Sequence, residues 1–237
     1  MNKSGLITSH IFIFFCLSVI PLQLEAQKQD IGQPVYTAQT DSAVNLPNFL
    51  LPRFTKSVIK LKSGEIYTAV LNYNTVEQLV FFQQKDKYLI IDEPQLIDTI
   101  FMANRTFVPF EKGFYELIIK APVTLFKQHK SYAEYEGTPT LYGAKSQTTA
   151  SSGVSRIYSI NGPINLKVPN GYKVYDDSKY WIRKDDKMTV FESKRQFLKI
   201  FPDKEKELDQ FIAKNKIDFK NERQIAMTVD YCNGLYK

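Results

Sequence analysis

Few side chains in this chain are of the types that make and break bonds, and they are scattered. Histidine occurs only at His10 and His129, and cysteine only at Cys16 and Cys232. A zinc centre needs several such ligands together, and a nucleophilic triad needs a histidine beside both a nucleophile and a carboxylate. His129 sits in Lys127-Gln128-His129-Lys130, whose polar neighbours point to an exposed structural histidine at a strand end. Cys232 falls on an apolar helical stripe near a helix C-terminus, where the dipole opposes a thiolate, so a buried core thiol is expected. Paired carboxylates are the one remaining chemistry. Asp92, Glu93 and Asp98, or Glu134 and Glu136, are the right types for the acid and base of a glycosidase, whose carboxyl groups must stand at a fixed separation. Asp176-Asp177 and Asp185-Asp186 lack the ligand spacing of a calcium loop, and no phosphate-binding glycine loop or dinucleotide fingerprint occurs. This inventory assigns no catalytic, cofactor-binding or metal-binding residue, and no cofactor.

The elements that position these residues are mostly strands. From Phe54 to Tyr135, runs of β-branched and aromatic residues are cut by turn residues, the pattern of an antiparallel sheet of about eight strands. Lys62-Ser63-Gly64 reads as a tight hairpin turn in which glycine takes a positive φ, and Asn72-Tyr73-Asn74-Thr75 supplies a turn whose asparagines bond their own backbone. Gln78 to Gln83 is expected to pair with Tyr88 to Ile91 across Lys85-Asp86, and Pro94 to end that strand because it cannot donate to the ladder. In Phe114 to Lys120, strict alternation puts Tyr115, Leu117 and Ile119 on one face, and Phe114, Glu116, Ile118 and Lys120 on the other. That second face is mixed rather than polar, so another layer should cover part of it.

Residues 27–52 carry Gly32, Pro34 and Pro47 without sustained periodicity and read as an extended N-terminal arm. Residues 53–140 form the antiparallel region. Residues 141–156 centre on Ser146-Gln147-Thr148-Thr149-Ala150-Ser151-Ser152-Gly153, a Ser/Thr-rich composition with too little apolar surface to offset its ordering, hence a mobile loop. In 157–192, Tyr180 to Lys184 and Met188 to Glu192 make a last hairpin around Asp185-Asp186-Lys187. Residues 193–237 turn helical. Ser193 caps a helix carrying Phe197, Leu198 and Phe201 that Pro202 interrupts, and Asp203 starts a second with Leu208, Phe211 and Ile212 on one face. Asn221 and Gln224 open a third, with Ile225, Val229 and Cys232 on one stripe and Gly234 as its stop.

The first segment reads as an address. Lys3, the apolar run from Ile11 to Ile20, Pro21 and Leu24-Glu25-Ala26 have the order of a secretory signal peptide spanning 1–26 and cleaved near Ala26/Gln27. Cleavage leaves Cys232 as a single cysteine with no intramolecular disulfide, which suits a periplasmic or outer-membrane-associated protein of a bacterial envelope. The net charge of +6 is spread through mixed runs such as Lys184-Asp185-Asp186-Lys187, so a solvated surface is expected rather than a polyanion site. Export argues against nucleic acid and leaves peripheral membrane contact open.

Val58-Ile59-Lys60-Leu61-Lys62-Ser63-Gly64-Glu65, Leu71-Asn72-Tyr73-Asn74, Arg105-Thr106-Phe107 and Phe114-Tyr115-Glu116 together resemble exported β-rich proteins common in Bacteroidota. Tyr142-Gly143, Phe197 to Phe201 and Asn215-Lys216-Ile217-Asp218-Phe219 are similar to the same group. The resemblance spans nearly all of the mature chain and implies a compartment, not an activity. The expected fold is α+β: mainly an antiparallel β meander or partly closed barrel, with two to three C-terminal α-helices packed on it. The expected role is that of a non-catalytic envelope binding or scaffolding module, its partner an envelope protein or a glycan. A barrel-type carrier of a small apolar ligand and a carboxylate-based glycan hydrolase are the alternatives.

Overall fold

The computed structural model describes residues 33–35, 46–84, 87–111, 113–136, 138–139, 145–146, 166, 168–169 and 171–236. Residues 1–26, read above as a signal peptide, and most of the Ser/Thr tract lie outside these residues. Residues 31–237 form one compact unit, an α+β fold. The strands are β1 (Gln33–Val35), β2 (Thr55–Leu61), β3 (Ile66–Asn74), β4 (Leu79–Gln84), β5 (Lys87–Ile90), β6 (Ile97–Met102), β7 (Arg105–Phe110), β8 (Gly113–Ile119), β9 (Thr124–Gln128) and β10 (Ser131–Tyr135). Then follow β11 (Thr138–Pro139), β12 (Lys145–Ser146), β13 (Tyr172–Asp176), β14 (Lys179–Lys184) and β15 (Lys187–Phe191), and the helices α1 (Lys194–Ile200), α2 (Glu205–Asn215) and α3 (Glu222–Leu235). Nine of these strands, not eight, fall between Phe54 and Tyr135.

Among the described residues, eleven strands make one sheet in the order β1-β5-β4-β3-β2-β6-β7-β8-β9-β14-β15, with no ladder joining its ends. β10 and β13 form a separate ribbon, as do β11 and β12. The turns follow local chemistry. Gly64 has φ +96° between β2 and β3. Ala103 and Asn104 (φ +50° and +61°), like Asp185 and Asp186 (φ +50° and +58°), make two-residue turns whose twist matches the flanking strands. The sheet curls strongly: a Cβ on Gly113, which opens β8, would stand 3.2 Å from the carbonyl oxygen of Gln78, at the β3–β4 turn. The result is a deeply curved open sheet, not a closed barrel.

Cross-strand register puts two apolar clusters on the same, inner face. The first runs from β2 to β8 and includes Ile59, Leu71, Tyr73, Val80, Ile100, Phe107 and Phe114. The second joins Val123, Leu125, Ile182 and Phe191 to the helical residues Phe197, Leu208, Ile225, Val229 and Cys232. Helices of seven, eleven and fourteen residues are marginal alone. Burying a large apolar side chain contributes about 1.5–3 kcal/mol, so docking onto the sheet supplies their stability. Asn233 clamps α3 to the sheet, accepting from the Val123 amide and donating to the Val123 carbonyl oxygen, both at 2.9 Å.

β8 serves both clusters through a bulge. Leu117 opposes Phe126 while Ile119 opposes Leu125, so Ile118 is an extra residue. The bulge swings Ile119 to the helix side, correcting the strict alternation that put it beside Tyr115 and Leu117. The N-terminal arm is also more than a leader. Phe49 and Phe54 pack with Phe81, Tyr88 and Leu166 on the outer face, and the Asn72 side chain pairs with both the amide (3.1 Å) and the carbonyl oxygen (2.9 Å) of Leu51. At the other end, α2 begins at Glu205 after a single 3-10 turn at Pro202–Lys204, and α3 continues through Gly234 to Leu235. Neither Asp203 as a start nor Gly234 as a stop is therefore correct.

Candidate functional site

Polar side chains gather in a largely buried cluster on the inner face and in an open groove at the β15 edge. The cluster forms because Glu116 is opposite Phe107 on β7 and opposite Lys127 on β9, which turns its carboxylate inward between the two apolar clusters. Arg105 Nη1 donates to Glu116 Oε2 at 2.7 Å, and His129 Nε2 lies 2.5 Å from the same oxygen. His129 is 4% and Glu116 6% exposed, while Arg105 reaches solvent. His129 is thus a buried residue in hydrogen-bond contact with Glu116, not the exposed histidine its neighbours suggested. Burial works to raise the Glu116 pKa, but His129 and Arg105 outweigh it and hold the carboxyl below its usual range. The seam extends to α3, where Lys127 pairs with Glu222 at 2.7 Å.

A carboxylate orienting a histidine is half of a triad, but the rings around His129 are Tyr73 and Phe107, with centroids 6.3 and 6.1 Å away. Among the described residues the buried Tyr73 hydroxyl has no hydrogen-bond partner, and desolvation raises its pKa well above the ordinary phenol value. These rings enclose His129 and the Glu116 carboxylate within the core.

The other candidates disperse. Cys232 is fully buried among apolar side chains, and desolvation pushes its thiol up to about 12. Asp98 pairs with Lys60 at 3.2 Å, whose hydrogen bond lowers the Asp98 pKa, while Asp92 and Glu93 are exposed just before the Pro94 turn. Glu134 stands opposite Lys173, and Glu136 bonds Lys173 and the Tyr175 hydroxyl. Asp177 binds Lys130 (3.0 Å) and Lys179 (2.8 Å), and Asp176 accepts from Ser178. Asp185 and Asp186 serve the β14–β15 turn. Among the described residues no group of three His, Cys, Asp or Glu is placed to hold a metal.

The groove, of about 550 Å³, lies between the tip of the β14–β15 hairpin and α1. Lys184, Lys187 and Lys199 rim it, Val190, Ile200 and Pro202 supply apolar walls, and Asp185 and Asp203 stand at one end. Lys184 is engaged, 3.7 Å from Asp203 and 4.7 Å above the Tyr236 ring. Asp203 accepts from the Tyr236 hydroxyl at 2.8 Å, which with nearby lysines lowers its pKa. Lys199 also lines a neighbouring depression of about 390 Å³ with Lys194 and Arg195. Such a surface can bind an anionic or amphiphilic group. Its signal in the sequence was Lys184-Asp185-Asp186-Lys187, which reads equally as a solvated turn until α1 is folded beside it. No protein-family profile, no curated protein and no solved structure matches this chain.

Proposed function

We propose that this protein is an exported, non-catalytic binding or scaffolding module of the cell envelope. The observation that carries the reading is the division of its polar chemistry. His129, Glu116 and Cys232 are committed to the interior, whereas the open groove beside α1 presents lysines over apolar walls. The secretory pattern of residues 1–26 supports export, and the resemblance to exported Bacteroidota proteins agrees with it. A carrier would need an empty interior, and the inner face is instead packed with Tyr73, Phe107 and Phe114, among the largest fully buried side chains. A hydrolase would need two carboxylates flanking one cleft, and of the candidates Asp98 engages Lys60 and Glu136 engages Lys173 and Tyr175 instead.

The test is equilibrium binding of the labelled mature chain, starting at Gln27, to envelope fractions, against chemically unfolded chain as a control. Saturable binding by the folded chain alone is expected. Binding that never saturates, or that the unfolded chain reproduces, would sink the reading.

A further inference from the structure

We propose that the free edge of β15 accepts an extended segment of a partner protein as an added strand, and that this segment alternates acidic with apolar residues. The inference rests on the binding reading above and specifies its site and ligand class. β15 ends the sheet order and pairs only with β14 among the described residues. Lys184 and Lys187 close a two-residue turn and so form a hydrogen-bonded pair; alternation makes Thr189 and Phe191 bond β14 as well. The backbone N–H and C=O groups of Met188 and Val190 therefore point away from the sheet.

The groove lies where those groups point. Thr189 and Val190 are consecutive, so their side chains leave opposite faces of the strand, yet both line the same groove. Only a space beside the strand edge can touch both. An added strand there would gain main-chain hydrogen bonds, with side-chain pockets on alternate positions supplying selectivity. On the helix side its residues meet Lys187 and Lys199, which have no ion pair among the described residues. On the other side they meet Val190, which is 41% exposed. Acidic and apolar residues in alternation match these two sides. A second copy of this chain is the competing occupant of the edge, and sedimentation distinguishes it.

The probe is a short fluorescein-labelled peptide of alternating glutamate and valine, titrated with the full mature chain and followed by anisotropy. A lysine–valine peptide is the control. Saturable binding of the acidic peptide alone, weakening with salt, is expected. Val190→Pro removes an outward amide without touching the β14 ladder, and should weaken binding by about tenfold with unchanged circular dichroism. Lys187→Glu/Lys199→Glu, two exposed changes that leave the core intact, should abolish acidic-peptide binding and transfer it to the lysine peptide. This charge reversal decides the matter if the proline variant misfolds. Equal binding of both peptides, wild-type affinity in the charge-reversed protein, or self-association through the edge in sedimentation would overturn the proposal. Envelope binding that survives charge reversal would leave the module reading standing and remove this edge as its site.

Discussion

Glu116 shows how one residue's environment sets a property of the fold. Its folded-state pKa lies below the ordinary value of 4.5, so its contribution is complete above that value and disappears as pH falls through the depressed one. Glu116→Gln should therefore lower stability at neutral pH by about 2 kcal/mol, through the weakened bonds to Arg105 and His129. Wild type and variant should converge in acid, as measured by urea unfolding at several pH values with the single tryptophan, Trp181, as reporter. At the β6–β7 turn, Ala103 holds φ +50° without glycine's freedom, and Ala103→Gly should raise the urea midpoint, by about 0.5–1 kcal/mol of stability. Cys232 should resist a thiol reagent until the protein unfolds; prompt labelling of the native chain would contradict its burial. The Cys232 core position was legible from its helical stripe. The burial of His129 was not, because its lysine neighbours describe only the local chain and its partner lies on another strand. The available signal was Glu116 itself: a single carboxylate in the run Phe114 to Ile119 needs polar partners, and Arg105 and His129 supply them.

At the scale of elements, strands and helices were readable where local chemistry fixes them. Ser193 and Asn221 accept from Gln196 and Gln224 as expected of N-caps, and the hairpins at Gly64 and Asp185-Asp186 fall where turn residues placed them. What could not be read were features decided by partners far along the chain. The bulge at Ile118 answers to the β9 register, and the packing of residues 46–54 against β3 depends on Asn72. The continuation of α3 through Gly234 has the same cause: α3 is anchored by the adjacent Asn233 to Val123, which outweighs the weak helix preference of one glycine. Asn233→Ala leaves the Val123 amide and carbonyl without their buried partner, and should cost about 2–4 kcal/mol. Hydrogen exchange at Val123 should rise before exchange in β3, which lies in the other apolar cluster.

For the whole molecule, the two apolar clusters share one face of one sheet, and β8 belongs to both. The helices are consequently a wall of the core and not an appendage. A chain ending at Glu192 would expose Val123, Leu125, Ile182 and Phe191, and should bind a hydrophobic dye and self-associate at concentrations where the intact chain does not. The sheet order carries a further consequence, which concerns time. Most neighbours in the sheet are neighbours in the chain and can zip as hairpins, but β14 must find β9 across residues 129–178. Closing that excursion costs chain entropy before the ladder returns any of it, so this joining, like those of β6 to β2 and of β5 to β1, should slow folding. Until it happens, the inner face of β9 and β14 waits uncovered.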